Sequence, residues 1–200
     1  KFFFREKGRE RGKHEHVIFG LKEEELRYQD TRKFGKMTIL PKEHPEDYPP
    51  FSKLGLEPWD FRLTAEYLQD KYRKKSLPIK TVLLDQTIIT GIGNIYADEI
   101  LFLSHLNPRI AAKDLTEEDC KAIIKNTMLV LDKAIHEGGT TIRSYTSEEG
   151  VTGLFQNHLY VHAREKEACR ICGTEIEKIK VGGRGTYYCK KCQKERKEFL

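Results

Sequence analysis

No apolar run in the sequence approaches the ~18 residues that a transmembrane helix needs, so a membrane-spanning role is not expected. The opening Lys1-Phe2-Phe3-Phe4-Arg5 is also too short an apolar run for a signal peptide. His14 and His16 have no third ligand nearby, which favours surface or strand-packing histidines over a metal site. A Gly-x-Gly pattern occurs at Gly91 and Gly93, but it lacks the βαβ context and later ribose-binding acid of a dinucleotide fold. What remains is enough to bury a core: 200 residues, 38% of them hydrophobic, fit one helical domain with smaller pieces attached.

Cysteine is scarce but concentrated. Four of the five fall in two Cys-x-x-Cys pairs, Cys169/Cys172 and Cys189/Cys192, with sixteen residues between the pairs. That spacing lets two thiolate knuckles fold back and close one tetrahedral zinc site with four sulfur ligands. Two disulfides or a dithiol redox pair are the competing readings. The hairpin-like run between the pairs, with Gly173 beside one knuckle and Gly182-Gly183 in the middle, favours a structural Zn²⁺. Arg170, Lys190 and Lys191 can offset the formal negative charge of four thiolates. Such a site is coordinatively closed and does no chemistry. Cysteines committed to metal point to a reducing, cytoplasmic setting. Cys120 is left over on an expected helix, where it reads as a small buried hydrophobe.

Between the knuckles, Val181-Gly182-Gly183-Arg184-Gly185-Thr186-Tyr187-Tyr188 reads as a glycine-rich hairpin tip carrying one arginine. A guanidinium on a metal-pinned loop suits phosphate recognition, although an ordinary solvated arginine fits the same local pattern. Charge distribution favours the first reading. Residues 164–200 hold 11 Lys and Arg against 6 Asp and Glu, whereas residues 1–163 hold 25 of each, so the net charge of +5 sits on the finger. A basic patch of this kind is expected of a nucleic-acid contact surface.

The rest of the chain divides by pattern. Residues 16–21, 26–29 and 36–40 read as strands, with a charged turn at 22–25, and residues 1–41 look like the remnant of a larger β structure. Five of the seven prolines fall in residues 41–62, so 42–62 is expected to be an ordered linker. From 63 to 163 the pattern is helical. Thr64 can cap a helix over 65–73, Pro78 can start a short one through Leu84, and Thr116 with Asp119 forms a capping-box variant. Behind that box, Ile123, Thr127, Val130 and Ala134 align with Ile124, Met128, Leu131 and Ile135 as one broad apolar face, ended by Gly138-Gly139. Gly91-Ile92-Gly93-Asn94 precedes another amphipathic run. There Asn94 can serve as a helix cap or, equally on local grounds, as a phosphate ligand at a helix start.

Taken together, five ordered motifs make the chain resemble the bacterial formamidopyrimidine-DNA glycosylase family over essentially its whole length. They are Leu26-Arg27-Tyr28-Gln29-Asp30-Thr31-Arg32-Lys33-Phe34-Gly35, Leu83 to Gln86 leading into Gly91 to Glu99, Gly138 to Arg143, Tyr160-Val161-His162-Ala163-Arg164, and the finger with Gly183-Arg184-Gly185. The resemblance implies an α+β protein with partial N-terminal β-sandwich strands, a helix-two-turn-helix domain and a zinc ribbon over 164–200. It also implies that a monomer binds damaged duplex DNA. Carried over residue by residue, Asn94 and Arg184 grip phosphates around an extruded nucleotide, and Arg32 and Phe34 form the wedge facing the orphaned base. Lys80 lies near the lesion strand, and Arg143 belongs to a loop closing on the damaged base. An aromatic wedge and a hydrogen-bonding arginine are what base flipping requires.

The resemblance further implies a bifunctional glycosylase and AP lyase that removes oxidised purines through a Schiff base. A stand-alone DNA-binding module and the oxidised-pyrimidine branch of endonuclease VIII are the alternatives. The family's nucleophile is an N-terminal proline followed by glutamate, whereas residue 1 here is lysine and the first carboxylate is Glu6. The chain is therefore expected to be a fragment with no catalytic residue of its own.

Overall fold

The computed structural model describes residues 1–140 and 153–195. They fall into two units, Lys1–Tyr48 and Pro49–Leu200, which divide inside the proline-rich stretch.

The first unit is a three-stranded antiparallel sheet of β1 (Phe2–Glu6), β2 (Glu15–Gly20) and β3 (Glu24–Gln29), in the order β1-β3-β2. Register pairs Phe2 with Tyr28 and Phe4 with Leu26 on one side, and Val17 with Tyr28 and Phe19 with Leu26 on the other. One face is thus apolar, and the other carries Arg27 between Glu15 and Glu25. Arg27 is 1% exposed and reaches Glu15 at 2.7 Å and Glu25 at 2.7 Å.

The third strand expected at 36–40 does not form. β3 pairs with β1 on one side and β2 on the other, and residues 36–40 form no ladder with either outer strand, leaving Ile39 fully exposed. The sheet's third member is the opening Phe-rich segment instead.

The second unit packs α1 (Ala65–Tyr72), α2 (Ile79–Leu83), α3 (Asn94–Leu103) and α4 (Glu117–His136) around one core, followed by the hairpin β4 (Glu177–Val181) and β5 (Arg184–Tyr188). Leu68, Ile79, Leu83, Ile89, Ile92, Ile100, Leu101 and Ile123 are fully buried at its centre. The helix ends follow the local sequence. Thr64 accepts from the Tyr67 amide, and Thr116 and Asp119 complete a reciprocal capping box. At the end of α4, Gly139 N–H donates to Ala134 O (2.8 Å) and Gly138 N–H to Ile135 O (3.1 Å), the paired bonds of a Schellman motif. Cys120 is buried, as expected.

The apolar face of α4 is narrower than its periodicity suggested. Ile123, Thr127, Val130, Leu131 and Ala134 face inward, while Met128 and Ile135 lie outside the stripe that α1 and α3 cover and are exposed. No described helix is long and apolar enough to cross a membrane.

Candidate nucleic-acid interface

The two-turn connection between α2 and α3 lies partly at the surface of the second unit. Ile88, Ile89 and Ile92 turn into the core, and the backbone is tied from three sides. Gln86 accepts from Gly91 N–H (2.8 Å) and donates to Ile92 O (3.0 Å), while Tyr67 Oη donates to Ile88 O (3.0 Å). Below, Gly55 and Leu56 donate to Gln86 O and Ile88 O. A β-carbon at Gly55 would sit 2.3 Å from Ile88 O, so the close approach requires glycine. The opposite side is open, and nothing lies within 4 Å of where side chains at Gly91 or Gly93 would begin. Helix α3 starts there. Ala97 N–H takes Gly93 O, so helical geometry leaves the amides of Asn94, Ile95 and Tyr96 without intrahelical acceptors.

The cap differs from the expected one. Gly93 occupies the N-cap, and Asn94 is the first helical residue. Its side chain is turned away from its own helix and donates from Nδ2 to Gly185 O at 3.0 Å. Oδ1 is buried with no hydrogen-bond partner among the described residues. One further Nδ2 hydrogen remains for a ligand.

The zinc-finger hairpin is what Asn94 grips. Its tip, Gly182-Gly183, lies over α2, where a β-carbon at Gly182 would stand 2.3 Å from Thr81 Oγ1. Gly182 also takes a φ of 55°. The turn presents Arg184 beside Asn94. The Arg184 side chain is exposed, and no hydrogen bond or ion pair occupies its guanidinium among the described residues.

Behind this surface lies a buried polar chain that sequence reasoning did not find. Lys80 is fully buried, donating to Asp98 Oδ1 at 2.5 Å and to Asn94 O at 2.7 Å. Burial pulls the amine below its ordinary pKa, and the Asp98 carboxylate opposes that shift. Asp98 Oδ2 lies 2.7 Å from His162 Nδ1, and the His162 ring meets Tyr187 of β5 edge-on at 4.9 Å. Neighbouring Glu99 accepts the amides of Tyr160 (2.7 Å), Val161 (3.0 Å) and His162 (2.9 Å). Burial raises the Glu99 pKa, and the three amides hold it back. Lys80, expected near the lesion strand, therefore has no solvent-facing amine. A buried anion eighteen residues further on outbids water for it.

Cys169, Cys172, Cys189 and Cys192 converge with their ligand atoms all within 4.8 Å of one another. The Cys169–Cys192 and Cys172–Cys189 sulfurs are 3.9 and 3.5 Å apart. Tetrahedral Zn–S bonds of about 2.3 Å require sulfurs about 3.8 Å apart, whereas a disulfide requires about 2 Å. The four residues fit one structural Zn²⁺. Hydrogen bonds from the Thr174 hydroxyl and amide bring the Cys172 thiol down to about 6, whereas burial pushes the Cys189 and Cys192 thiols up. The second knuckle is bolted to the helical core through Gln193, which is 1% exposed. It accepts from Cys189 N–H and donates to Leu106 O, while Asn107 Nδ2 donates to Gln193 O.

In the first unit, Asp30 organises the segment after β3. Its carboxylate accepts from the amides of Arg32 (3.0 Å) and Gly35 (2.7 Å), hydrogen bonds that, with the Gly35 one largest, lower its pKa. Lys33 takes a positive φ at the turn. The result presents Phe34 at 73% exposure, with the Arg32 guanidinium 4.7 Å from its ring centre. Arg143 lies outside the described residues.

Residues 54–146 match the formamidopyrimidine-DNA glycosylase H2TH domain. Residues 166–194 match the zinc finger found in FPG and IleRS. The chain is 46% identical over 195 residues to a formamidopyrimidine-DNA glycosylase of an Exiguobacterium species, covering 96% of this chain and 71% of that protein. A Ureaplasma parvum protein of the same name is 46% identical over 181 residues, covering 90% of this chain and 66% of its own length. Among solved structures, a Lactococcus lactis FPG variant in complex with Fapy-dG-containing DNA superposes with a TM-score of 0.89 at 36% identity, covering 98% of this chain and 72% of that one. A Lactococcus lactis Fpg in complex with abasic-site DNA gives 0.88, also at 36% identity, with the same coverage of both chains.

Proposed function

The chain belongs to the formamidopyrimidine-DNA glycosylase family, and from that premise we propose that it acts in base-excision repair as a bifunctional glycosylase and AP lyase on oxidised purines in duplex DNA. Within that activity these residues supply the DNA grip. One observation carries the reading: an Arg184 guanidinium with no partner among the described residues is held next to the Asn94 amide, beside the open Gly91–Gly93 turn and the first amides of α3, which have no intrahelical acceptor. A phosphate takes a charge-assisted fork from such an arginine and further hydrogen bonds from the helix start. None of these contacts reads base sequence, as suits an enzyme that must find a lesion anywhere. The zinc contributes by keeping the hairpin folded.

Schiff-base formation needs an accessible amine poised at the sugar, beside a carboxylate that manages protons. At this surface the Lys80 amine is buried and committed to Asp98. Lys80 is therefore not that amine, and the described residues of this surface are proposed to bind DNA without supplying the Schiff-base nucleophile. Duplexes with and without a single 8-oxoguanine, incubated with the chain and borohydride, test both parts. Tighter binding to the damaged duplex with no covalent adduct is expected. A trapped adduct overturns the division of labour, and equal affinity for both duplexes overturns the lesion grip.

A further inference from the structure

The buried chain Lys80–Asp98–His162 has no place in a phosphate clamp as such, yet its first member also bonds the backbone of Asn94. Each group comes from a different element: Lys80 from α2, Asp98 from α3, His162 from the segment after α4, with Tyr187 of the finger packed on the imidazole. Asp98 lies one helical turn beyond Asn94, so the two share a face of α3. Lys80 Nζ spans that turn, touching Asn94 O at 2.7 Å and Asp98 Oδ1 at 2.5 Å. Lys80 and Asp98 are 0% and 1% exposed, and His162 9%. A fully buried ion pair is a poor source of stability compared with apolar packing, and fixing one geometry is its better-attested use.

We propose that His162 is a positioning residue for DNA binding, holding Asp98 and Lys80 so that the first turn of α3 keeps Asn94 in register with Arg184. Lys80 on this view orders the clamp from behind and contacts no phosphate. The inference rests on the phosphate-clamp reading of Asn94 and Arg184. Arg184 also lies close enough to this relay that its positive charge acts against protonation of Lys80, the smallest of the influences on that amine.

The test uses the 200-residue chain and a duplex carrying a tetrahydrofuran abasic analogue, with affinity measured at several salt concentrations. His162→Phe keeps the ring packing on Tyr187 but loses the bond to Asp98, whereas His162→Asn can restore a donor near the Nδ1 position. His162→Phe should weaken binding about tenfold, the scale of one hydrogen bond to a charged group. Zinc content and salt slope should be unchanged, and His162→Asn should recover most of the loss. In an Asn94→Ala background His162→Phe should cost almost nothing further, because what it positions is already gone. A merely structural role predicts additivity with Asn94→Ala, and that result overturns the proposal, as does a salt slope reduced by a full counterion or loss of zinc. Arg184→Ala is run alongside. If it binds like the unaltered chain, the clamp reading falls and the relay with it. If it is weakened while His162→Phe is not, only the relay falls.

Discussion

The side-chain amide of Asn94 donates to the carbonyl of Gly185 at 3.0 Å, joining the first turn of α3 to a hairpin 91 residues later in the chain. That bond puts the two groups best suited to a phosphate, one neutral amide and one guanidinium, on neighbouring backbone positions of a single surface.

Arg184→Ala should accordingly weaken binding to a duplex with an abasic analogue about tenfold to a hundredfold, since a charge-assisted contact is worth ~1.5–3 kcal/mol. It should also shallow the salt dependence by roughly one counterion. Asn94→Ala removes no charge, so affinity should fall with the slope nearly unchanged. A double-mutant cycle should show coupling, because losing the Gly185 contact lets the arginine drift. Strict additivity at fixed salt would show two independent groups.

Zinc removal should unfold the hairpin and abolish DNA binding. β4 and β5 form only a two-stranded sheet, and an isolated hairpin is marginal in water without its metal. Affinity titrations before and after strong chelation, with circular dichroism on the same samples, measure both effects. Unchanged affinity in metal-free protein would separate the finger from the grip.

Features with local causes were legible in the sequence. The four-cysteine site follows from ligand spacing, the start of α4 from Thr116 and Asp119, and its end from Gly138-Gly139. What escaped depends on partners far along the chain. Lys80 resembles any surface lysine until Asp98 is found beside it, and Asp98 and Glu99 look like solvent-facing acids until residues 160–162 fold across them. The strand expected over 36–40 did not form either, since alternation gives a strand its face but does not choose a partner, and residues 36–40 take neither the β1 nor the β2 edge.

Phe34 should matter to binding and hardly at all to stability. It is held out in the open by a turn that depends on Asp30, so Phe34→Ala should change thermal stability by less than about 0.5 kcal/mol. If Phe34 is the wedge that the family resemblance implies, affinity for a duplex containing an abasic analogue should drop in that variant, because nothing then fills the gap. Asp30→Ala should reproduce the affinity loss with Phe34 still present, since the amides of Arg32 and Gly35 lose their acceptor. Wild-type affinity in both variants would make this turn a bystander.

Glu99→Gln is the substitution expected to cost most for its size. The Glu99 carboxylate is 1% exposed and surrounded by three amide donors, from Tyr160, Val161 and His162, over 60 residues away in sequence. Replacing one carboxylate oxygen by an NH₂ group turns an acceptor toward a donor and leaves at least one buried amide unsatisfied. The loss should be about 2–4 kcal/mol, the range for breaking charge-assisted hydrogen bonds inside a protein. Because those amides belong to the segment that leads into the finger, the variant should also loosen the finger's seat while keeping its zinc. Denaturant unfolding measures the first effect, and hydrogen exchange at the three amides the second. Protected amides and an unchanged midpoint in Glu99→Gln would mean that packing of Phe102 on Tyr160, whose ring centres are 5.3 Å apart, holds that junction without the carboxylate.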